Sequence, residues 1–405
     1  MYRQPLDGVK IIDLSYYIAG PGTGKILADW GAEVIKVEPL GGEPGRTTGA
    51  TLGAPIEDDC NPYFGIWNSN KRDIALNLKT AEGKEIMDKL LKDANVFVTS
   101  FRPGALKRLG LDYETVSQKF PHIVWASING FGEQGPDCNK AGFDTVAYWA
   151  RCGAMLDLTE RDTSPVNPTL GFGDASTSCS LAGGIAAGLY QQAVTGKGCK
   201  VMVSLMSQAL WTTAALVTTS QFGDTTYPKS RKSPASPLVN SYKTADGDWY
   251  FTSVFDDRQY PVYLEKIAHR KDLAQDPEYG TSEGACRHAT FLTQVIADEF
   301  AANTSEEMSS RLLEADIAHE KLRHVRDTLQ DPQALLNNYI VPAQHRNGSQ
   351  TMCAQPPVKF DTIDVIHRYG TPRIGEDSRS ILEHCGYSSE EIARLITSGV
   401  TLAAE

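Results

Sequence analysis

Asp174 is the side chain in this sequence whose surroundings offer the most chemistry. It stands in Leu-Gly-Phe-Gly-Asp-Ala-Ser-Thr, with Gly171 and Gly173 ahead of it and a run of small residues behind. A carboxylate is a weak nucleophile towards esters in water, but once oriented and stripped of water it attacks a thioester. An aspartate in front of a helix is also a common N-cap, its oxygens spent on the first free amides. The two glycines would let a ligand approach the backbone and the carboxylate closely. On the residues alone both roles stay open.

A second candidate is GPGTGK at 20–25, directly after an apolar run. A phosphate-binding loop of the Walker type needs Gly-x-x-x-x-Gly-Lys-Ser/Thr. Here the first glycine position is Ala19 and Ile26 follows Lys25, so nucleotide hydrolysis is excluded. A glycine-rich strand-to-helix turn with free amides remains, suited to a phosphate or a carbonyl, or simply a tight turn. Lys71, Arg72, Lys79, Arg102, Lys107 and Arg108 flank the strands that follow. As a group they could hold a polyphosphate, although any one of them alone reads as a solvated surface charge. The eight histidines form no HExxH, and no Gly-x-Ser-x-Gly stands near them. The eight cysteines contain no CxxC, their nearest pair being 138 and 152, so neither a metal site nor a disulfide framework is expected.

The elements that must position these groups follow from periodicity. Runs at 9–14, 33–37, 74–78, 96–100, 123–128 and 200–204 are short, apolar and β-branched, and read as buried strands. Helical patterns lie between them. One is KILADW after a turn at 19–24, another is capped by Thr80, and a small-residue helix spans about 177–194. This alternation predicts an α/β fold with a parallel sheet covered on both faces. The apolar stretch 204–219 carries serines and threonines and reads as a buried helix, not a membrane span. Residues 222–237 have the composition of a linker or mobile loop. Beyond it come a hairpin around Asp246-Gly247 and helical stretches near 257–269, 288–302 and 305–315. That predicts a smaller α+β domain over 225–330, with a tail from 335 to 405 ending in a helix capped by Ser388 and Glu391. The 405 residues carry a formal charge of −11, which disfavours nucleic acid as a partner. No signal peptide is visible, and a soluble cytoplasmic protein is expected.

In order and spacing the chain resembles the class III CoA-transferases, which include formyl-CoA:oxalate and carnitine CoA-transferases. The resemblance is carried by PLDGVKIIDLSYYIAGP (5–21), GAEVIKVE (31–38), NKRDIALNLKTAEGK (70–84) and FRPGALKRLGLDYE (101–114). It continues through INGFGEQGPD (128–137), GFGD (171–174) and TGKGCKVMVSLM (195–206).

That resemblance implies a large Rossmann-like domain built from 1–221 and 335–405, a small domain, and two subunits interlocked like rings in a homodimer. It implies that Asp174 takes the acyl group from a donor acyl-CoA and exchanges it with a carboxylic acid through an anhydride and an aspartyl-CoA thioester. By the same resemblance coenzyme A contacts fall on Ile18, Ala19, Leu76, Asn77, Leu78, Lys79, Ser100, Phe101, Arg102 and Arg108, with no metal. Phe143 and Asp144 are implied at the substrate pocket. Pro39 replaces a basic residue of formyl-CoA transferases, and the stretch 230–240 lacks their glycine-rich loop, so oxalate is disfavoured. The related racemases pair their aspartate with the histidine of Gly-His-Asp; here Gly142-Phe143-Asp144 cannot transfer a proton at that position. GFDTVAYWARCG (142–153) is most similar to transferases acting on 2-hydroxy acids such as phenyllactate or 2-hydroxyisocaproate, which serve amino-acid fermentation. An acyl-CoA racemase and a non-catalytic CoA-binding protein remain the alternatives.

Overall fold

The computed structural model describes residues 4–223, 230–361 and 370–404, so 224–229 of the expected linker lie outside the described residues. The chain forms two compact units: 1–152 with 168–214 and 332–405, and 153–167 with 215–331.

The first unit is built on β1 (Lys10–Leu14), β2 (Glu33–Glu38), β3 (Arg72–Leu76), β4 (Val96–Thr99), β5 (Val124–Asn129) and β6 (Lys200–Ser204). These strands pair in parallel in the order 3-2-1-4-5-6, and a short antiparallel strand, Thr401–Leu402, closes the β3 edge. Side chains alternate across the sheet. Ile12, Ile35, Phe97 and Trp125 enter one core with Ile86, Leu90, Ile381 and Ile392 of the covering helices. Ile11, Val34, Val98 and Val124 enter the other with Leu27, Leu181 and Ile185. Both faces are therefore dry, which is why these strands read as continuous apolar runs. In a sheet of this order ligands bind beyond the carboxyl ends of the strands, where the direction of winding reverses, here between β1 and β4.

Several expectations shift. β3 begins at Arg72, two residues earlier than the apolar run suggested. Between β4 and β5 there are two helices, Pro103–Leu109 and Tyr113–Lys119, separated by Gly110 at φ 72°. The supposed turn at 19–24 is already helix, Ala19–Asp29. The apolar stretch 204–219 is not one buried helix: it divides into Leu205–Thr212 and Ala214–Thr219, with only Leu205 and Ala209 buried. Apolar composition cannot distinguish a core from an apolar surface, and Trp211 is 78% exposed in the single chain.

The second unit carries an antiparallel sheet of β7 (Val239–Lys243), β8 (Trp249–Ser253) and β9 (His319–Lys321), its hairpin turning at Gly247 with φ 95°. The helices Ala289–Ala302 and Ser305–Glu314 supply its core through Leu292, Ile296, Phe300, Met308 and Leu312. The helical stretch expected at 257–269 is two short turns, Gln259–Val262 and Tyr263–Ile267. Among the described residues no helix is long and apolar enough to cross a membrane.

Candidate active site

Asp174 lies in the first turn of a 24-residue helix, Phe172–Thr195. The helix therefore starts five residues before the small-residue run that announced it. Gly171 is its N-cap at φ 82°, and no side chain of the local sequence caps it. Asp174 is in helical conformation and does not occupy the cap position. Among the described residues its carboxylate accepts no hydrogen bond, and burial, reinforced by the charge of Asp144, pushes its pKa up to about 7.

The amides at this helix start are met from another segment. Asp144 opens a π-helical turn, Asp144–Ala150, and its Oδ1 accepts the Gly173 N–H at 3.1 Å. Burial raises the Asp144 carboxyl above its ordinary range, against the lowering effect of the amides of 171–174. Its Oδ2 is buried without a partner among the described residues. The glycine pair has a matching explanation. A Cβ on Gly173 would come within 2.4 Å of both Asp144 Oδ1 and the Tyr148 ring, and one on Gly171 within 2.9 Å of Ile18 Cδ1. The room left by the missing side chains is filled by protein, not held open for a ligand.

The opposite wall follows β1. Tyr16 N–H donates to Ser100 Oγ at 2.9 Å, bridging the ends of β1 and β4, and the Tyr16 ring meets Phe101 edge-on at 4.8 Å. Tyr17 sits at φ 68°, a strained conformation for a tyrosine, held by its N–H to Glu43 Oε2 at 2.8 Å. Its ring meets Phe143 at 5.4 Å. The helix Ala19–Asp29 then begins at Ile18 with no side-chain cap, leaving its first amides available at the reversal point. Glycines let this helix press inwards: a Cβ on Gly20 would fall 2.3 Å from Ser15 Cβ, and one on Gly22 2.6 Å from Ser178 Oγ. The Ser178 hydroxyl is shared between Ala19 O at 2.7 Å and Asp174 O at 2.9 Å. One serine thus ties the nucleophile candidate's backbone to the start of the facing helix.

The cationic group divides. Lys71 is fully buried and donates to Asp13 Oδ2 at 2.8 Å, Pro21 O at 2.8 Å and Asn68 Oδ1 at 3.0 Å. Burial depresses its pKa to about 8, while Asp13 opposes the shift. Arg72 is paired with Glu33 at 2.9 Å. Both are structural, because acids that the sequence could not assign to them claim them: Asp13 is fully buried, and Glu33 is half-buried. Lys79, Lys107 and Arg108 remain exposed, and Arg102 is exposed with one contact to Asn139 O at 3.4 Å.

Leu76, Asn77, Leu78, Lys79 and Phe101 line a cavity of about 390 Å³ beyond the strand ends, with Tyr16 and Pro39. Leu78 and Leu109 also border a second cavity of about 330 Å³, which carries Lys84, Lys107, Arg108 and Lys119. Ile18 and Ala19 stand at the uncapped helix start, and the Ser100 hydroxyl oxygen is engaged by the Tyr16 amide. Phe143 is 52% exposed, whereas Asp144 is buried and turned to the helix start. Tyr148 is core.

Sequence reasoning missed Tyr63. It lies on the helix Pro62–Asn68, its hydroxyl buried without a partner among the described residues. Burial and the charge of Asp174 push its pKa up to about 12. The available signal was Asn61-Pro62, a helix start, whose Asn61 side chain does cap the Phe64 amide. Among the described residues no group of three or more His, Cys, Asp or Glu is placed to hold a metal ion.

Residues 6–378 match the sequence model described as CoA-transferase family III. The chain is 36% identical over 387 residues to (R)-2-hydroxy-4-methylpentanoate CoA-transferase of Clostridioides difficile, covering 96% of this chain and 97% of that one. It is 35% identical over 394 residues to cinnamoyl-CoA:phenyllactate CoA-transferase of Clostridium sporogenes, covering 96% and 95%. Its structure is similar to that of a CAIB/BAIF family protein from Brucella suis, with TM-score 0.78 and 26% identity over 95% of this chain and 100% of the other.

Proposed function

The chain belongs to CoA-transferase family III and moves coenzyme A between an acyl-CoA and a carboxylate, and on that premise we propose that Asp174 carries the acyl group and that the acceptor is a 2-hydroxy acid. The carboxylate oxygen of Asp174 attacks the donor thioester carbon; the C–S bond breaks and coenzyme A leaves as thiolate. The product is an aspartyl anhydride. The thiolate then attacks the aspartyl carbonyl, expelling the donor acid as carboxylate and leaving an aspartyl-CoA thioester. The acceptor carboxylate repeats the two steps in reverse order, so that Asp174 is regenerated and the acceptor departs as its CoA thioester. Each covalent step divides a hard exchange into easier ones.

The observation that carries this reading is a partly buried carboxylate with no hydrogen bond from the described residues, at the start of a helix that another side chain caps. A desolvated, unpartnered carboxylate attacks more readily than a hydrated one. Free amides at Ile18–Ala19 offer donors for the oxyanions formed on the way. The cavity at the strand ends suits a pantetheine arm, and the basic cavity beyond Leu78 suits the phosphates. The acceptor class is supported by the two clostridial relatives, whose names specify 2-hydroxy-4-methylpentanoate and phenyllactate. Phe143, exposed against Tyr17, gives an apolar contact for a branched or aromatic tail.

The test is to incubate the protein with an acyl-CoA, trap with hydroxylamine or borohydride, and map the modified residue by mass spectrometry. Modification at Asp174 is expected, with transfer abolished and CoA affinity retained in Asp174→Ala. Branched and aromatic 2-hydroxy acids should discharge the trapped form faster than oxalate. Undiminished transfer by Asp174→Ala would remove the assignment.

A further inference from the structure

Asp144 is the least expected group in this site. It is 4% exposed, one oxygen takes the Gly173 amide, and the other has no partner among the described residues. A buried carboxylate half satisfied is uncommon and needs a reason. Position supplies one. The first turn of the 172–195 helix presents free amides, and a side chain two or three residues along a first turn is within reach of competing for them. Asp174 is such a side chain. With Gly171 at the cap position, the cap residue itself has no side chain to take them.

We propose that Asp144 is a positioning residue, a cap supplied from outside the helix, which takes the amides that would otherwise draw the Asp174 carboxylate back onto its own backbone. This rests on the reading of Asp174 as the acyl carrier. It also moves Asp144 away from the acyl group, where the family resemblance had put it. The fit is built in: Gly173 has no Cβ because the Asp144 oxygen occupies that space, and Tyr148, four residues on from Asp144, packs into the same gap. The like charge has a second effect, since it works with burial to keep the nucleophile's proton affinity high. Among the described residues the Tyr63 phenol from the 62–68 helix also faces Asp174, while Lys25 and Asp29 on the packed 19–29 helix pair with each other.

The experiment compares Asp144→Ala and Asp144→Asn in the full chain, each checked for folding by circular dichroism. Asparagine keeps an acceptor oxygen for Gly173 but no charge. Asp144→Ala should lower kcat by about 100-fold, the order expected when a reacting group is misplaced by an ångström, with KM for acyl-CoA nearly unchanged. Asp144→Asn should recover most of that kcat and move the acid limb of the pH profile to lower pH. A wild-type kcat in Asp144→Ala, a loss confined to KM, or an asparagine variant no better than alanine would each overturn the proposal. Should the alanine variant not fold, the asparagine pH profile decides: an acid limb that moves down supports it, and an unmoved limb overturns it. Trapping separates the two readings. No adduct at Asp174 in the wild type would defeat the nucleophile assignment itself; equal trapping rates in wild type and Asp144→Ala would defeat only the role of Asp144.

Discussion

Aspartate at a helix start can spend its oxygens on amides or keep them for a substrate, and the two uses leave different marks on stability. Among the described residues the Asp174 carboxylate is spent on no amide, and burial beside Asp144 pushes its pKa up to about 7. In the unfolded chain the same carboxyl titrates in the ordinary range near pH 4. Between those values the folded protein binds the extra proton, so stability falls as pH rises through that window and the whole cost is felt above pH 7. Asp174→Asn removes the charge without changing shape. It should therefore be more stable than wild type at about pH 8, by roughly 2 kcal/mol once screening of a partly exposed group is allowed for, and the gain should fade towards about pH 5. Thermal melts of both proteins at the two pH values measure this. A gain that is equal at both, or largest in acid, would contradict the picture of a desolvated, unpaired carboxylate.

At the scale of elements, the site depends on backbones that approach more closely than side chains allow. Gly173→Ala would drive a methyl into Asp144 Oδ1 and the Tyr148 ring, both at 2.4 Å. Overpacking of that kind costs about 1–3 kcal/mol. Here the expected loss is in kcat as well as melting temperature, because the displaced group is the cap. A useful contrast is Thr80→Ala, which removes the N-cap of the Ala81–Lys92 helix and should cost about 1 kcal/mol with kcat unchanged. The strands, that cap, and the Ser388–Glu391 capping box were legible because each is a local pattern. The helix 19–29 was legible only from Lys25 onward: the glycines before it spell a turn, and only the neighbours Ser15, Ser178 and Asp13 show why a helix there must be bare. Lys71, grouped in the sequence with cations that could hold a polyphosphate or lie on the surface, is neither, since its partner Asp13 is 58 residues away in sequence. Asp144 and Asp174 were both visible as residues. Their division of labour was not, because a cap 29 residues upstream leaves no spacing rule to recognise.

Over the whole molecule, several large apolar side chains lie exposed to water. Tyr190 and Val194, one turn apart on the 172–195 helix, are 74% and 66% exposed, and Trp211 on the next helix is 78% exposed. The two helices meet where Ser180 donates to Gln208, and large apolar side chains exposed on neighbouring elements are candidates for a surface that is covered in use. The partner we propose is a second copy of the chain, in keeping with the interlocked homodimer that the family resemblance implies. The helix 172–195 would then have two duties, with Asp174 in its first turn and a subunit contact towards its end. Trp211→Arg tests this without touching the first turn. In a monomer, exchanging an exposed tryptophan for arginine changes stability by less than about 0.5 kcal/mol. In a dimer it places a charge in a desolvated contact, and light scattering should show the mass halved or strongly concentration-dependent, with activity falling on dilution. A variant that keeps the wild-type mass and activity at every concentration would show that this surface is not where two copies meet.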